Sequence, residues 1–257
     1  MTSLLAVDAG NSTTKVGWFQ GASLKFHLVF PTASSSQQRV QAVLDSAIGR
    51  VRKRGDRLPE VAVCSVVPAA TRAWVKAARR ARMQALVIRG ETPAPIGNAY
   101  RQRKNLGPDR LATAVAAAAL HRPVIAVNFG TATTIDAVSA DGRFLGGAIC
   151  PGIGTALESL ARATALLPGV APRKPSGPIG RDTRACLLAG AYLGTIGQVN
   201  EIVRRQRAVL GDAPVVVTGG HARLVAREMV GCIAVRPWLT LEGIRLIWLH
   251  NRKEDRA

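Results

Sequence analysis

Two stretches decide the fold: AVDAGNSTTKVGWF at Ala6–Phe19 and AVNFGTATTIDAV at Ala126–Val138. Each is an apolar run, then a short polar turn with a glycine, then a second run rich in Thr and aliphatic residues. This pattern predicts a buried strand, a tight turn and a hairpin-paired strand. Because the unit occurs twice, we expect two related halves facing a shared cleft, divided as residues 1–122 and 123–257.

Segments of strand and helix character alternate along the chain, which favours an α/β fold. Short apolar runs predict further strands at Leu24–Phe30, Val61–Val67, Ala85–Ile88, Phe144–Ile149 and Ala213–Val217. Helices are predicted at Gln37–Arg52, Pro68–Arg82, Asp109–His121, Gly154–Ala165, Ala185–Leu210 (one or two helices) and Leu241–Asn251. The basic segment Tyr100–Asn105 is a candidate active-site loop, whereas Gly21–Ser36 is ambiguous.

The chain is strongly basic, with 35 Lys and Arg against 16 Asp and Glu and a formal net charge of +19. Such a balance fits nucleic acid, a pocket for anions such as ATP, or a generally basic surface. The Arg residues are dispersed, and no helix-turn-helix, zinc-finger or RNA-recognition signature accompanies them. We therefore do not expect a nucleic-acid partner.

The four cysteines are far apart and form no CxxC pair, so the sequence predicts no zinc site and free thiols. No signal peptide is predicted, because Asp8 interrupts the N-terminal apolar run. No apolar stretch has the length of a membrane helix. A reducing, cytoplasmic location with no membrane association is the expectation.

The first turn has the chemistry of a phosphate-binding loop. Gly10 allows close backbone approach, and the amides and hydroxyls that follow can donate to phosphate oxygens. Asp8 could hold a hydrated Mg²⁺, and Lys15 could bring a positive charge to the transferring phosphate. An ordinary hairpin turn is the alternative. The residues predicted to bind ATP here are Asp8, Ala9, Gly10, Asn11, Ser12, Thr13, Thr14 and Lys15.

The second half has two glycine turns, and the one at Gly130 matches the first turn. Thr131 and Thr133 follow Gly130 and offer hydroxyls to the other side of a phosphate chain, although Thr is also a good strand residue. Gly219 and Gly220 follow an apolar run and would let an adenine or ribose lie against the backbone. A plain strand-to-helix loop is the alternative for these glycines.

A carboxylate at the predicted start of a helix is the third element. Asp109, in Gly107-Pro108-Asp109-Arg110, is suited to cap the helix. In a kinase it could instead accept the proton of a substrate hydroxyl, while Arg110 holds an anionic group of the substrate.

These elements occur together in an order that resembles type III pantothenate kinases, of the acetate and sugar kinase, Hsp70 and actin superfamily. The resemblance covers most of the chain, and its most specific part is Gly146–Pro168. The other matching segments are Asp8–Lys15, Ser65–Pro68, Leu106–Arg110, Gly130–Asp136, Ile179–Thr183 and Thr218–Gly220.

The resemblance implies an actin-like ATPase fold, also called ribonuclease H-like, with two related α/β halves around a nucleotide cleft. It implies an enzyme that phosphorylates pantothenate to 4'-phosphopantothenate with ATP, the first step of coenzyme A biosynthesis. It further implies Mg²⁺, a monovalent cation (K⁺ or NH₄⁺) and a homodimer. Asp109 would be the general base, and the pantothenate site would be Tyr100, Gly107, Pro108, Arg110 and Thr183, with Thr183 contributed across the dimer interface.

Two positions depart from the family pattern. The family usually has Asp at the position of Asn128, where the carboxylate is associated with the monovalent cation. Asn keeps a carbonyl oxygen without the charge, so cation binding should weaken or change. The family also often has Pro where Arg103 stands, which bears on the loop over the substrate.

Two other functions fit parts of the sequence. One is a kinase for another small hydroxylated acid or sugar, since the residues define the phosphate chemistry better than the acceptor. The other is a catalytically impaired nucleotide-binding regulator that holds nucleic acid on its basic surface. Asp8 and Asp109 argue for retained catalysis, and therefore for the kinase.

Overall fold

The computed structural model describes residues 2–53 and 58–254, which form two compact α/β units. The first unit takes in the described residues up to Ile96, then Tyr100–Ala116, and the chain from Leu239 onward. The second unit is Gly97–Ala99 and Ala117–Trp238. The predicted division after residue 122 differs from this one chiefly in the last helix, which packs in the first unit.

The first unit is built on a five-stranded sheet with strand order β3-β2-β1-β4-β5. Its strands are β1 (Ser3–Ala9), β2 (Thr13–Gln20), β3 (Ser23–Pro31), β4 (Glu60–Ser65) and β5 (Ala85–Ile88). Strands β1 to β3 form an antiparallel meander, and β4 and β5 continue the sheet parallel to β1.

Helices pack against the sheet of the first unit. Successive side chains of each strand point to opposite faces of the sheet, and the apolar ones are buried under these helices. Leu5, Val7 and Trp18 lie in one core cluster with Leu44 of α1 (Gln37–Lys53) and Trp74 of α2 (Pro68–Arg80). The last helix, α7 (Leu239–Glu254), packs against β1, β2, β4 and β5. Within this unit α7 also lies very close to α3 (Pro108–Leu120), since a Cβ on Gly243 would be 1.7 Å from the carbonyl oxygen of Ala112.

The second unit repeats the topology of the first. Its six-stranded sheet has the order β11-β10-β7-β8-β9-β6. The strands are β6 (Gly97–Asn98), β7 (Val124–Phe129), β8 (Ala132–Val138), β9 (Arg143–Pro151), β10 (Val215–Thr218) and β11 (Cys232–Val235). Again three strands, β7 to β9, form an antiparallel meander, and β10 and β11 follow in parallel beside β7. The duplication predicted from the two turn sequences is therefore a duplication of fold.

Three helices complete the second unit: α4 (Ile153–Ala163), α5 (Thr183–Leu210) and the short α6 (Ala222–Val225). Residues 185–210, predicted as one or two helices, lie in the single 28-residue helix α5. No helix in the described ranges is long and apolar enough to cross a membrane.

Strand β4 ends two residues before the apolar run that predicted it, at Ser65 instead of Val67. Ser65 ends the strand because its hydroxyl accepts a hydrogen bond from the Val67 amide and donates one to the Val67 carbonyl. Pro68 then occupies the start of α2, where its missing amide hydrogen costs nothing.

Candidate active site

The first predicted phosphate turn is the hairpin between β1 and β2. It is closed by a 3.0 Å hydrogen bond from the Gly10 amide to the Thr13 carbonyl. Asn11, Ser12 and Thr13 are exposed at its tip, whereas Asp8 and Ala9 are buried in β1. The turn thus presents amides and small polar side chains, the groups that bind phosphate oxygens.

A chain of buried hydroxyls supports this turn. Thr32 donates to the carbonyl of Gly10 at 2.7 Å, and its oxygen lies 3.0 Å from that of Thr14. Since a hydroxyl has one proton, Thr14 must donate to Thr32, and Ser35, 3.3 Å away, must donate to Thr14. Thr14 is fully buried, so it supports the turn instead of presenting its hydroxyl at the surface.

Thr32 is a site residue that the sequence did not reveal. It lies in a 3₁₀ turn (Thr32–Ser34) that follows β3, inside the segment whose structure was ambiguous. Its amide also donates to the carbonyl of Ser12 at 2.9 Å, so it holds the hairpin at two points. Nothing in the local pattern marks Thr32, because its partner Gly10 is 22 residues away.

Asp8 carries a strongly perturbed carboxylate. Antiparallel pairing sets Lys15 opposite Asp8, with the Lys15 Nζ 4.0 Å from the Asp8 Oδ2. Burial raises the pKa of Asp8 to about 6, against the lowering effect of Lys15, and the charge of Asp109 adds a smaller upward effect. On β4, Cys64 pairs with Asp8, and burial together with both carboxylates raises the pKa of its thiol.

Asp109 lies in the first turn of α3, as predicted. Burial raises the pKa of Asp109, although backbone hydrogen bonds and the charges of Arg110 and Lys15 act in the opposite direction. Gly107 makes room for this carboxylate, because a Cβ there would lie 2.6 Å from the Asp109 Oδ1. A carboxylate with a raised pKa at a helix start is a stronger base than an ordinary surface Asp.

Arg110 and Tyr100 come together beside this base. Arg110 is only 6% exposed, and its guanidinium carbon lies 5.7 Å from the centre of the Tyr100 ring. The loop that carries Tyr100 is seated on Gly90, where a Cβ would come within 2.4 Å of the carbonyl oxygens of Arg103 and Leu106. Four predicted acceptor residues, Tyr100, Gly107, Pro108 and Arg110, therefore belong to the first unit.

Thr183, the fifth predicted acceptor residue, belongs to the second unit. It is exposed at the first turn of α5, next to the N-cap Asp182, whose carboxylate accepts the Ala185 amide at 2.9 Å.

The second predicted phosphate turn lies between β7 and β8. The Gly152 amide and the Thr155 hydroxyl both donate to the carbonyl of Thr131, at 3.0 and 2.6 Å. Gly152 has to be glycine here, since a Cβ would be 2.2 Å from the carbonyl oxygen of Gly130. Thr133 is buried, and its hydroxyl has no hydrogen-bond partner within the described chain.

The glycine pair after β10 packs directly against this turn. Gly219 has a φ of +103°, and a Cβ there would lie 2.4 Å from the Phe129 carbonyl oxygen and 2.6 Å from the Asn128 Oδ1. Gly220 has open space beside it. The structure therefore brings together three predicted elements of the second unit: Asn128, the Thr131 turn and the Gly219–Gly220 pair.

His221 is a further residue of this cluster, and it is not among the predicted site residues. Its amide donates to the Phe129 carbonyl at 3.1 Å. Its Nδ1 is buried without a hydrogen-bond partner among the described residues, and burial lowers the pKa of the ring. Its position directly after two glycines was the only signal in the sequence.

Known structures share this fold over the whole chain. The activator of the 2-hydroxyisocaproyl-CoA dehydratase from Clostridium difficile, with bound ADPNP, matches with a TM-score of 0.58 at 12% identity, covering 100% of this chain and 98% of its own. An archaeal actin homolog matches with a TM-score of 0.51 at 10% identity, over 100% of both chains. These matches place the chain in the actin-like ATPase fold class.

Sequence relatives identify the family within that class. A family model described as type III pantothenate kinase matches residues 4–205. A type III pantothenate kinase from Moorella thermoacetica is 39% identical over 96% of this chain and 99% of its own, and one from Roseiflexus sp. is 37% identical over 97% and 99%. The chain belongs to the type III pantothenate kinase family, which confirms the resemblance seen in its motifs.

Proposed function

We propose that this protein transfers the γ-phosphoryl group of ATP to the terminal hydroxyl of pantothenate, in the first step toward coenzyme A. Membership of the family, with relatives matched over nearly the full length, carries this assignment. The two sheets of repeated topology and their glycine turns supply the scaffold that binds ATP. Asp109, at the start of α3, supplies the general base.

The two hairpin turns bind the phosphate chain of ATP in this proposal. The amide and side chain of Asn11 and the hydroxyl of Thr13 donate to phosphate oxygens, Gly10 allows the close approach of the phosphates to the backbone, and Lys15 offsets charge that accumulates on them. Thr131 serves the same purpose in the second unit. Gly219 and Gly220 leave their backbone open to the adenosine, since Gly220 has free space where a side chain would stand.

Asp8 fits the role of a magnesium ligand. Mg²⁺ bound with ATP usually takes one or two carboxylates and fills its other positions with phosphates and water. The described residues contain no group of three or more His, Cys, Asp or Glu that could form a full protein cage. Buried Asp8, with its raised pKa, is a carboxylate that a divalent cation would stabilise in the ionised form. The metal would neutralise charge on the phosphates.

Asp109 acts as the general base. Its carboxylate accepts the proton of the pantothenate hydroxyl while the hydroxyl oxygen forms a bond to the γ-phosphorus. The bond from that phosphorus to the bridging oxygen breaks, and ADP leaves with the electron pair. The hydrogen bonds from the backbone hold the carboxylate in one orientation, and Arg110 with Tyr100 binds the acceptor.

A monovalent cation, K⁺ or NH₄⁺, would bind beside Asn128. The amide oxygen of Asn128 and the carbonyl of Phe129 both lie against Gly219, so oxygen ligands are present without a carboxylate. Neutral ligands hold such a cation less tightly than Asp would, and we expect weak activation.

We further propose a homodimer in which Thr183 completes the acceptor site of the partner. Exposure of Thr183 at the start of α5, in the unit that lacks the other four acceptor residues, supports this arrangement. A cytoplasmic location, where ATP and pantothenate meet, stays a prediction of the sequence.

The test is release of ADP from purified protein with ATP, Mg²⁺ and pantothenate. We expect release that depends on pantothenate and is lost in Asp109→Asn. Release with another small hydroxy acid but not with pantothenate would overturn the acceptor. No release with any acceptor, together with intact ATP binding, would overturn the kinase.

A further inference from the structure

The first unit contains a basic cavity that borders the proposed acceptor site at Pro108, and the cations that line it have no role in the proposed kinase mechanism. It has a volume of about 380 Å³ and lies at the carboxyl ends of β4 and β5. Three cationic residues line it: Arg72 from α2, Arg89 after β5, and Lys104 from the 3₁₀ turn Arg103–Asn105. No carboxylate is among the residues of its wall.

None of these three cations forms an ion pair within the described part of the chain. By contrast, Arg204 and Arg205 on α5 share Glu201 at 2.8 and 2.7 Å. Three cations from separate elements, converging on one concavity without a counter-charge, create a positive field that attracts an anion.

The start of α2 adds to this field. Pro68, the first residue of the helix, lies on the cavity wall, and the N-cap residue Val67 makes no side-chain cap. The positive end of the helix dipole therefore points toward the cavity wall without a side chain to offset it. The wall hydroxyls of Ser65 and Thr71 both donate to the Val67 carbonyl, at 3.0 and 3.3 Å, so attraction to an anion comes from the cations and the helix start.

We propose that this cavity binds a phosphate group of a small molecule, at a site distinct from the two ATP turns. A single carboxylate is satisfied by one guanidinium, whereas three cations match the two or more charges of a phosphate or pyrophosphate. The volume accommodates a phosphorylated small molecule and not a folded macromolecule. A free phosphorylated metabolite and inorganic phosphate share this chemistry.

Pyrophosphate is the probe, with binding measured by calorimetry at fixed ionic strength without Mg²⁺. The β,γ-imido analogue of ATP is present in saturating amount, so that the ATP turns are occupied. The variants are Arg72→Gln and Arg89→Gln. The control is the double variant Arg79→Gln/Arg80→Gln, which removes exposed charges from the last turn of the same helix, outside the cavity.

We expect saturable binding of one pyrophosphate per chain, weakened about tenfold or more by each cavity variant. The affinity of the control variant for pyrophosphate should stay within about twofold of the wild-type affinity. Tighter binding of a phosphorylated metabolite than of inorganic phosphate would identify the metabolite as the source of the phosphate group. Equal weakening in the control, or no saturable binding, would overturn the proposal. Loss of binding on addition of pantothenate would show that the cavity is part of the acceptor site, and binding of a single-stranded oligonucleotide alone would assign the surface to nucleic acid. None of these measurements requires kinase activity, so failure here leaves the proposed function intact.

Discussion

Asp8→Asn should stabilise the ligand-free protein while it abolishes the reaction. Burial raises the pKa of Asp8 from 3.8 to about 6. A carboxylate whose folded pKa is raised favours folding while it is protonated, and this stability is lost as pH rises through the folded pKa. Above pH 6 the ionised, buried Asp8 therefore costs about 3 kcal/mol relative to its protonated form. Asn is isosteric with that protonated form and escapes the cost.

Urea unfolding of the protein without ATP or Mg²⁺, at pH 5 and at pH 7.5, measures this effect. We expect the advantage of Asp8→Asn in free energy of unfolding to grow by about 1.5 kcal/mol between these pH values. Asp45→Asn, on the exposed face of α1, is the matched control and should change the free energy of unfolding by no more than about 0.5 kcal/mol. An Asp8→Asn protein that is less stable than the wild type at pH 7.5, or whose difference is the same at both pH values, would refute the reasoning.

Four further changes test the site and its support. Asp109→Asn should lower kcat by about 100-fold or more, as loss of a general base does, while ATP affinity measured by calorimetry stays within a few-fold; unchanged turnover would remove Asp109 from that role. Thr32→Val leaves the Gly10 carbonyl without its 2.7 Å donor, so the KM for ATP should rise about fivefold or more with a smaller change in kcat, and Thr32→Ser should restore it. Asn128→Asp should strengthen activation by K⁺ in a titration of rate against salt, and identical curves for both proteins would show that position 128 does not tune the cation site. Glu60→Ala should lower the free energy of unfolding by about 1–3 kcal/mol in thermal or urea unfolding, because the Glu60 carboxylate accepts a hydrogen bond from the Trp248 indole at 2.8 Å and pairs with Arg252 at 3.0 Å. No loss of stability would count against a stabilising role for these two contacts.

The duplicated fold was predictable because its information is local. Apolar runs, glycine turns and Thr-rich strands repeat within short windows, and the two sheets follow that order strand by strand. Strand β11 was missed: its four apolar residues show no alternation with polar ones, and its two largest side chains, Ile233 and Val235, are exposed. Two-residue strand β6 is too short for any periodicity.

Some residues of the candidate site lie in local sequence motifs, whereas the role of others depends on contacts between distant parts of the chain. Asp8, Gly10, Asp109 and Arg110 lie in motifs, so the sequence could mark them as candidates. Thr32 could not be identified, since its role depends on a hydrogen bond across 22 residues of chain. Thr14 shows the converse error, because a Thr in a phosphate motif can use its only proton inside the protein.

The position of α7 has a consequence for how the chain is made. This helix is the last described element, yet its buried Leu241, Ile244 and Ile247 complete the unit that begins with β1. On the ribosome, the sheet of the first unit must wait for α7, while every described strand of the second unit is synthesised in between. A nonsense mutation near residue 239 would therefore leave the described strands of the second unit intact and remove the helix that covers the sheet of the first unit.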